Sequence, residues 1–124
     1  GNLQELPAVP RGKINAKPET FRVIKDALAD VVTKGTATRA KSSMVTIGGK
    51  TGTAQVARED GAGYKTDETI ATVVGYGPVS DPQFVLLVRL DHPRTSPWAT
   101  STSAYVFGDI ATFLLEYLHI PPYR

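Results

Sequence analysis

From Pro18 onward the apolar residues Phe21, Ile24, Leu28, Val31 and Val32 recur every three or four positions, the spacing of one face of an α-helix. The pattern predicts a helix over residues 18 to about 34, because proline is tolerated in a first helical turn and Gly35 suits a left-handed cap. The pattern then changes to runs of β-formers, which predict strands over 44–57, 68–76 and 83–91. In the third run Phe84, Leu86, Val88 and Leu90 alternate with Val85, Leu87 and Arg89, so both faces are largely apolar and both are expected to meet helices or core. Polar, glycine-containing residues 58–63 and the turn chemistry of residues 77–82 separate the strands, which favours an antiparallel meander over crossovers. A last helical pattern runs from about 103 to 119, with Val106, Phe107, Ile110, Leu114 and Leu118 as its expected buried face, and Pro121-Pro122 stops it. Residues 1–17, with Pro7 and Pro10, read as an extended lead-in. The expected fold class is therefore α+β in two layers, a three-stranded antiparallel meander flanked by an N-terminal and a C-terminal helix.

Length and composition change this picture little. With 124 residues, 41% of them hydrophobic and 21% charged, the chain is expected to form one compact unit and not a disordered tail. The net charge is +2, but Arg11, Lys13, Lys17, Arg39 and Lys41 are spread among other residue types, so a solvated surface is expected and no nucleic-acid partner. There is no cysteine for a disulfide or a thiolate zinc site, and His92 and His119 have no acidic cluster at metal-ligand spacing, so neither a metal nor a cofactor is expected. The apolar runs 70–74 and 84–88 are too short to cross a bilayer and no signal-peptide pattern opens the sequence, so this segment is expected to make no membrane contact.

The chemistry concentrates in Gly48-Gly49-Lys50-Thr51-Gly52-Thr53-Ala54-Gln55, where a lysine and two hydroxyls sit on a backbone with little side-chain cover. Glycines weaken a strand unless something approaches its backbone closely, and a ligand is one such thing. A lysine-threonine pair alone is more often a solvated strand edge. A phosphate-binding loop is excluded: position 44, where that motif needs glycine, is methionine, and Gly52-Thr53-Ala54-Gln55-Val56 continues as a strand where a helix should begin.

Residues 49–55 resemble the Lys-Thr-Gly strand of class B penicillin-binding proteins, the transpeptidases of cell elongation and septation. The resemblance extends from about Glu19 to the C-terminus, through Val31-Val32-Thr33-Lys34-Gly35-Thr36-Ala37, Ala71-Thr72-Val73-Val74-Gly75-Tyr76-Gly77-Pro78, Phe84-Val85-Leu86-Leu87-Val88 and the closing Leu118-His119-Ile120-Pro121-Pro122. It implies part of a β-lactamase/transpeptidase-like fold, with residues 1–124 as the C-terminal portion of the transpeptidase domain. Two further motifs of such enzymes, Ser-x-x-Lys with the nucleophile and Ser-x-Asn, do not occur in these 124 residues. The chain alone is therefore expected to be inactive, while the parent protein is a serine-type D,D-transpeptidase. Ala99-Thr100 stands where family members often have paired glycines, and the proline they often have near Tyr105 is absent, so the cleft rim departs from the family pattern.

By the same resemblance, the catalytic residues are Lys50, which organises the second motif and attracts the substrate's terminal carboxylate, and Thr53, whose N–H is an oxyanion donor. Thr51, Gly52 and Thr53 are the substrate-binding residues, with the Thr53 hydroxyl favoured over that of Thr51 for the carboxylate. Gly52 leaves room for a peptide lying along the strand, and Gln55 has no assigned role. The implied partners are peptidoglycan stem peptides and β-lactams, on the extracytoplasmic face of the bacterial cytoplasmic membrane, with a membrane-anchored parent. The implied five-stranded sheet would pair residues 83–91 with a strand from an N-terminal part of the domain. Without that strand, self-association through 83–91, or a complementary chain such as the missing N-terminal part of the domain bound there, is expected. A non-catalytic binding or scaffold module with the same fold is the alternative.

Overall fold

The computed structural model describes residues 9–123, and the start of the lead-in, residues 1–8, lies outside them. Residues 9–17 form neither helix nor strand. Helix α1 follows over Pro18–Thr33, and strands β1 (Gly48–Ala57), β2 (Tyr64–Gly77) and β3 (Phe84–Asp91) form the meander. Helix α2 (Ser103–Tyr117) closes the chain, and single 3₁₀ turns at Thr38–Ala40 and Ala99–Ser101 precede the sheet and α2. Among the described residues no helix is long and apolar enough to cross a membrane.

Both hairpins are antiparallel and the strand order is β1-β2-β3, so β2 is central and, among the described residues, each neighbour has a free edge. Directly paired residues share a face, which sorts the sheet without ambiguity. One face carries Gly49, Thr51 and Thr53 of β1, opposite Gly75, Val73 and Ala71 of β2 and then Leu86, Val88 and Leu90 of β3. Helices cover this face: a β-carbon on Gly49 would stand 3.4 Å from Val32 Cγ2 of α1, and one on Gly75 only 2.6 Å from Phe107 Cζ of α2. The core is built here from Val32, Ala37, Ala40, Val45, Ile47, Val73, Val88, Phe107 and Leu115.

The other face carries Lys50, Gly52, Val74, Tyr76, Val85 and Leu87. Val85 and Leu87 are 77% and 62% exposed, so the expectation that β3 is buried on both sides does not hold. The apolar alternation is present, but the buried residues of both helices lie against the one face.

Local boundaries differ from the sequence reading for identifiable reasons. The first strand begins at Gly48, not at 44, although Val45 and Ile47 are buried. The β-formers before Gly48 serve the core: Met44 O and Thr46 O accept from Tyr123 N and Val79 N, each at 2.9 Å, and not from a neighbouring strand. The second strand starts earlier, at Tyr64, because Arg58 N–H closes on Gly63 O at 3.0 Å, with Gly61 and Gly63 at positive φ of 72° and 103°.

Helix α1 ends as expected, but Gly35 is not in the left-handed region. A β-carbon there would lie 2.9 Å from Val31 Cα, so this glycine lets the chain fold back against the helix end, and Ala37 N–H then bonds Val31 O at 2.9 Å. Helix α2 buries Ser103, Ala104, Phe107, Ala111 and Leu115, a stripe rotated from the expected one. Small residues let α2 lie close to the sheet and the Thr38–Ala40 turn, leaving Val106, Ile110 and Leu118 more than a third exposed.

Candidate functional site

Strand β1 forms one edge of the sheet, and its backbone polarity follows from the register. The carbonyl oxygens of Gly48 and Val74 lie 2.7 and 3.1 Å from where β-carbons on Gly75 and Gly49 would be, the position of oxygens that point across the ladder. Gly48, Lys50 and Gly52 therefore direct their backbone groups toward β2, while Gly49, Thr51 and Thr53 direct theirs outward to the free edge. The Thr51 carbonyl confirms this direction, because Lys50 Nζ reaches round the strand to donate to it at 2.7 Å.

The four residues picked out in the sequence are thus contiguous but divided. Lys50 and Gly52 face the uncovered side, and Thr51 and Thr53 face the helix side. The edge is where they converge, since the Lys50 ammonium has folded onto it and the Thr53 N–H points out of it. Lys50 and Thr53 are exposed, and Thr51 and Gly52 are half-buried.

Each threonine hydroxyl has a partner from outside the strand. Thr51 Oγ1 is 2.9 Å from Thr36 Oγ1, which ties the strand to the segment following α1. Thr53 Oγ1 accepts from the Ala99 N–H at 3.2 Å, which ties it to the 3₁₀ turn before α2. A hydroxyl that accepts in this way keeps its own proton for donation, so Ala99 aims the Thr53 O–H at an acceptor. The Thr51 hydroxyl is shared with another hydroxyl that can take either role. The two hydroxyls thus differ in what each has left to offer a ligand.

Gly52 has a cause that sequence spacing did not suggest. A β-carbon there would stand 2.7 Å from Thr72 Oγ1, whose hydroxyl donates to Gly52 O at 3.1 Å. A side chain at position 52 would displace this hydroxyl, so glycine preserves the bond from the neighbouring strand.

Thr36, Thr72 and Ala99 are the parts of the site that sequence reasoning missed. Ala99, which departs from the family's paired glycines, is buried at 1% exposure and its N–H holds Thr53. Nearby, Tyr105 carries the Arg39 guanidinium over its ring at 4.3 Å. Among the described residues there is no group of three or more potential metal ligands, and His92 instead pairs with Glu68 at 3.0 Å.

Comparison with known proteins places this geometry in context. The family model described as the penicillin binding protein transpeptidase domain matches residues 5–112. The chain is similar to a peptidoglycan D,D-transpeptidase FtsI homolog of Mesostigma viride, 32% identical over 106 residues, which cover 85% of this chain and 18% of that protein. Among solved structures, the apo transpeptidase domain of Burkholderia pseudomallei penicillin-binding protein 3 superposes with a TM-score of 0.75 at 33% identity, covering 86% of this chain and 32% of that one. Penicillin-binding protein 3 of Mycobacterium tuberculosis, in complex with ampicillin, gives a TM-score of 0.74 at 25% identity, with 84% and 25% covered. The chain therefore spans under a fifth of the length of the relative and about a third or less of the two solved chains.

Proposed function

Because the chain belongs to the penicillin-binding protein transpeptidase family, we propose that it is the substrate and oxyanion strand portion of a peptidoglycan D,D-transpeptidase that works by serine acyl transfer. The observation that carries the proposal is the open edge of β1, where outward backbone groups, the Lys50 ammonium and an oriented Thr53 hydroxyl lie side by side. An extended stem peptide adds to such an edge as a further strand, with main-chain hydrogen bonds supplying affinity.

The proposed chemistry assigns each group a step. As the serine oxygen attacks a D-alanyl or β-lactam carbonyl, negative charge grows on the carbonyl oxygen, and the Thr53 N–H, rigidly held in the strand, stabilises it. Lys50 supplies fixed positive charge beside the substrate's terminal carboxylate, and the Thr53 hydroxyl donates to that carboxylate. Thr51 and Gly52 set the strand's shape through Thr36 and Thr72, so that this array is formed before the substrate arrives. The nucleophile and the second polar motif come from parts of the protein other than these 124 residues. This assignment places the reaction outside the cytoplasmic membrane, where stem peptides are cross-linked.

Acylation of the full-length protein tests the reading. Thr53→Val should slow acylation by benzylpenicillin while leaving acylation by its methyl ester, which lacks the carboxylate, nearly unchanged. Equal slowing of both would remove Thr53 from carboxylate recognition. A wild-type protein that penicillin does not acylate would instead favour a non-catalytic scaffold.

A further inference from the structure

The segment between β3 and α2 reaches the site at Ala99; the His92–Glu68 pair holds its start, and Thr69 holds both of its ends. Thr69, on the helix side of β2, lies directly opposite Gln55 of β1 and is only 9% exposed. Its carbonyl accepts from His92 N–H at 2.9 Å and its hydroxyl donates to Pro97 O at 3.0 Å, so this residue grips both ends of residues 92–97. Between these two hydrogen bonds His92 turns the chain in the left-handed region, at φ 51°, which histidine enters more readily than most residues with side chains. Two residues beyond Pro97, the chain delivers the Ala99 N–H to Thr53 Oγ1. Trp98 O, in between, is taken by Thr102 Oγ1 at 2.8 Å, which leaves the Ala99 amide little freedom to reorient.

Resting on the function proposed above, we infer that Thr69 is a positioning residue for acyl transfer. Its hydroxyl sets the place of the 92–98 segment and thereby the direction in which Thr53 offers its own proton. A β-branched residue at this buried strand position satisfies packing whether or not it bears a hydroxyl, so valine would meet the structural need alone. The Pro97 hydrogen bond is what the hydroxyl adds.

The test uses the full-length protein, comparing Thr69→Val with Thr69→Ser. Loss of one aligning hydrogen bond should lower the first-order acylation rate constant with benzylpenicillin by about tenfold in Thr69→Val, with the non-covalent dissociation constant changed much less. Thr69→Ser, which restores the donor, should return to within about twofold of wild type. Hydrogen exchange of the peptide containing residues 92–102, followed by mass spectrometry, should accelerate in Thr69→Val and not in Thr69→Ser. A purely structural role predicts a smaller active fraction that acylates at the wild-type rate. That result, or unchanged exchange over residues 92–102, would overturn the inference. Failure of the wild-type protein to acylate at all would be a failure of the proposed function, recognisable because exchange would still separate the two variants.

Discussion

The two edges of the sheet are built to opposite rules. At β1 the edge is polar and fastened: Thr51 and Thr53 are hydrogen-bonded to Thr36 and Ala99, and a lysine folds back onto the free carbonyl row. At β3 the edge has the same kind of outward backbone groups, but Val85 and Leu87 stand exposed beside them, with charge only at Arg89 and Asp91, which pair with each other at 2.9 Å. A lysine on an edge discourages indiscriminate strand pairing, while an apolar edge invites a protein strand. Under the proposed function, β1 would receive a transient extended ligand and β3 a lasting partner, either another strand of the domain or a second copy of the chain.

Substitution of the shared support should damage both edges together. Phe107 lies under Gly75 in the central strand and is fully buried, so Phe107→Ala should destabilise the fold by about 3–5 kcal/mol, measured by denaturant unfolding. A much smaller loss would mean that the edges are held independently. At the β1 edge alone, Lys50→Ala should reduce acylation of the full-length protein by penicillin about 100-fold while leaving unfolding unchanged, because the side chain is exposed. Unaltered acylation would take away the functional meaning of this edge. At the opposite edge, Leu87→Lys should weaken self-association of the 124-residue chain by about tenfold or more in sedimentation, with no effect on acylation of the full-length protein.

The smallest effect belongs to Tyr76 of the central strand. The Tyr76 hydroxyl is buried beside Gly48 and has no hydrogen-bond partner among the described residues, so Tyr76→Phe should raise stability by about 1 kcal/mol. Burial, with Asp26 nearby, raises its ionisation above the ordinary 10.0. The folded chain then keeps a proton that the unfolded chain loses, so stability should fall as pH rises above that value, and the phenylalanine variant should lose less. Lys65, raised from 10.5 by its hydrogen bond to Glu68, adds to the alkaline loss in the same direction and should account for part of what persists in the variant.

Much of this was legible in the sequence, because its strongest signals are local. The 3.6-residue spacing after Pro18, the turn residues around 58–63 and 77–82, and the Lys-Thr-Gly strand all depend on neighbours in sequence. The elements and their meander order follow. What was not legible depends on contacts between distant residues. The buried stripe of α2 is set by small residues facing the Thr38–Ala40 turn, and the β-formers at 44–47 look like strand although the carbonyls of Met44 and Thr46 bond to Tyr123 and Val79. At the site, residue types were readable, but the partners that orient them were not: Thr36, Thr72 and Ala99 lie 15, 20 and 46 residues from the groups they bond. No spacing rule links such pairs.

Intact-mass analysis after reaction with a labelled penicillin tests the central claim most directly, performed on the full-length protein and on the 124-residue chain. The account predicts one covalent adduct on the full-length protein, mapped to a serine outside residues 1–124, and none on the chain alone. A stable adduct on Ser42, Ser43, Ser80, Ser96, Ser101 or Ser103 would contradict it, because β1 would then belong to a site that supplies its own nucleophile.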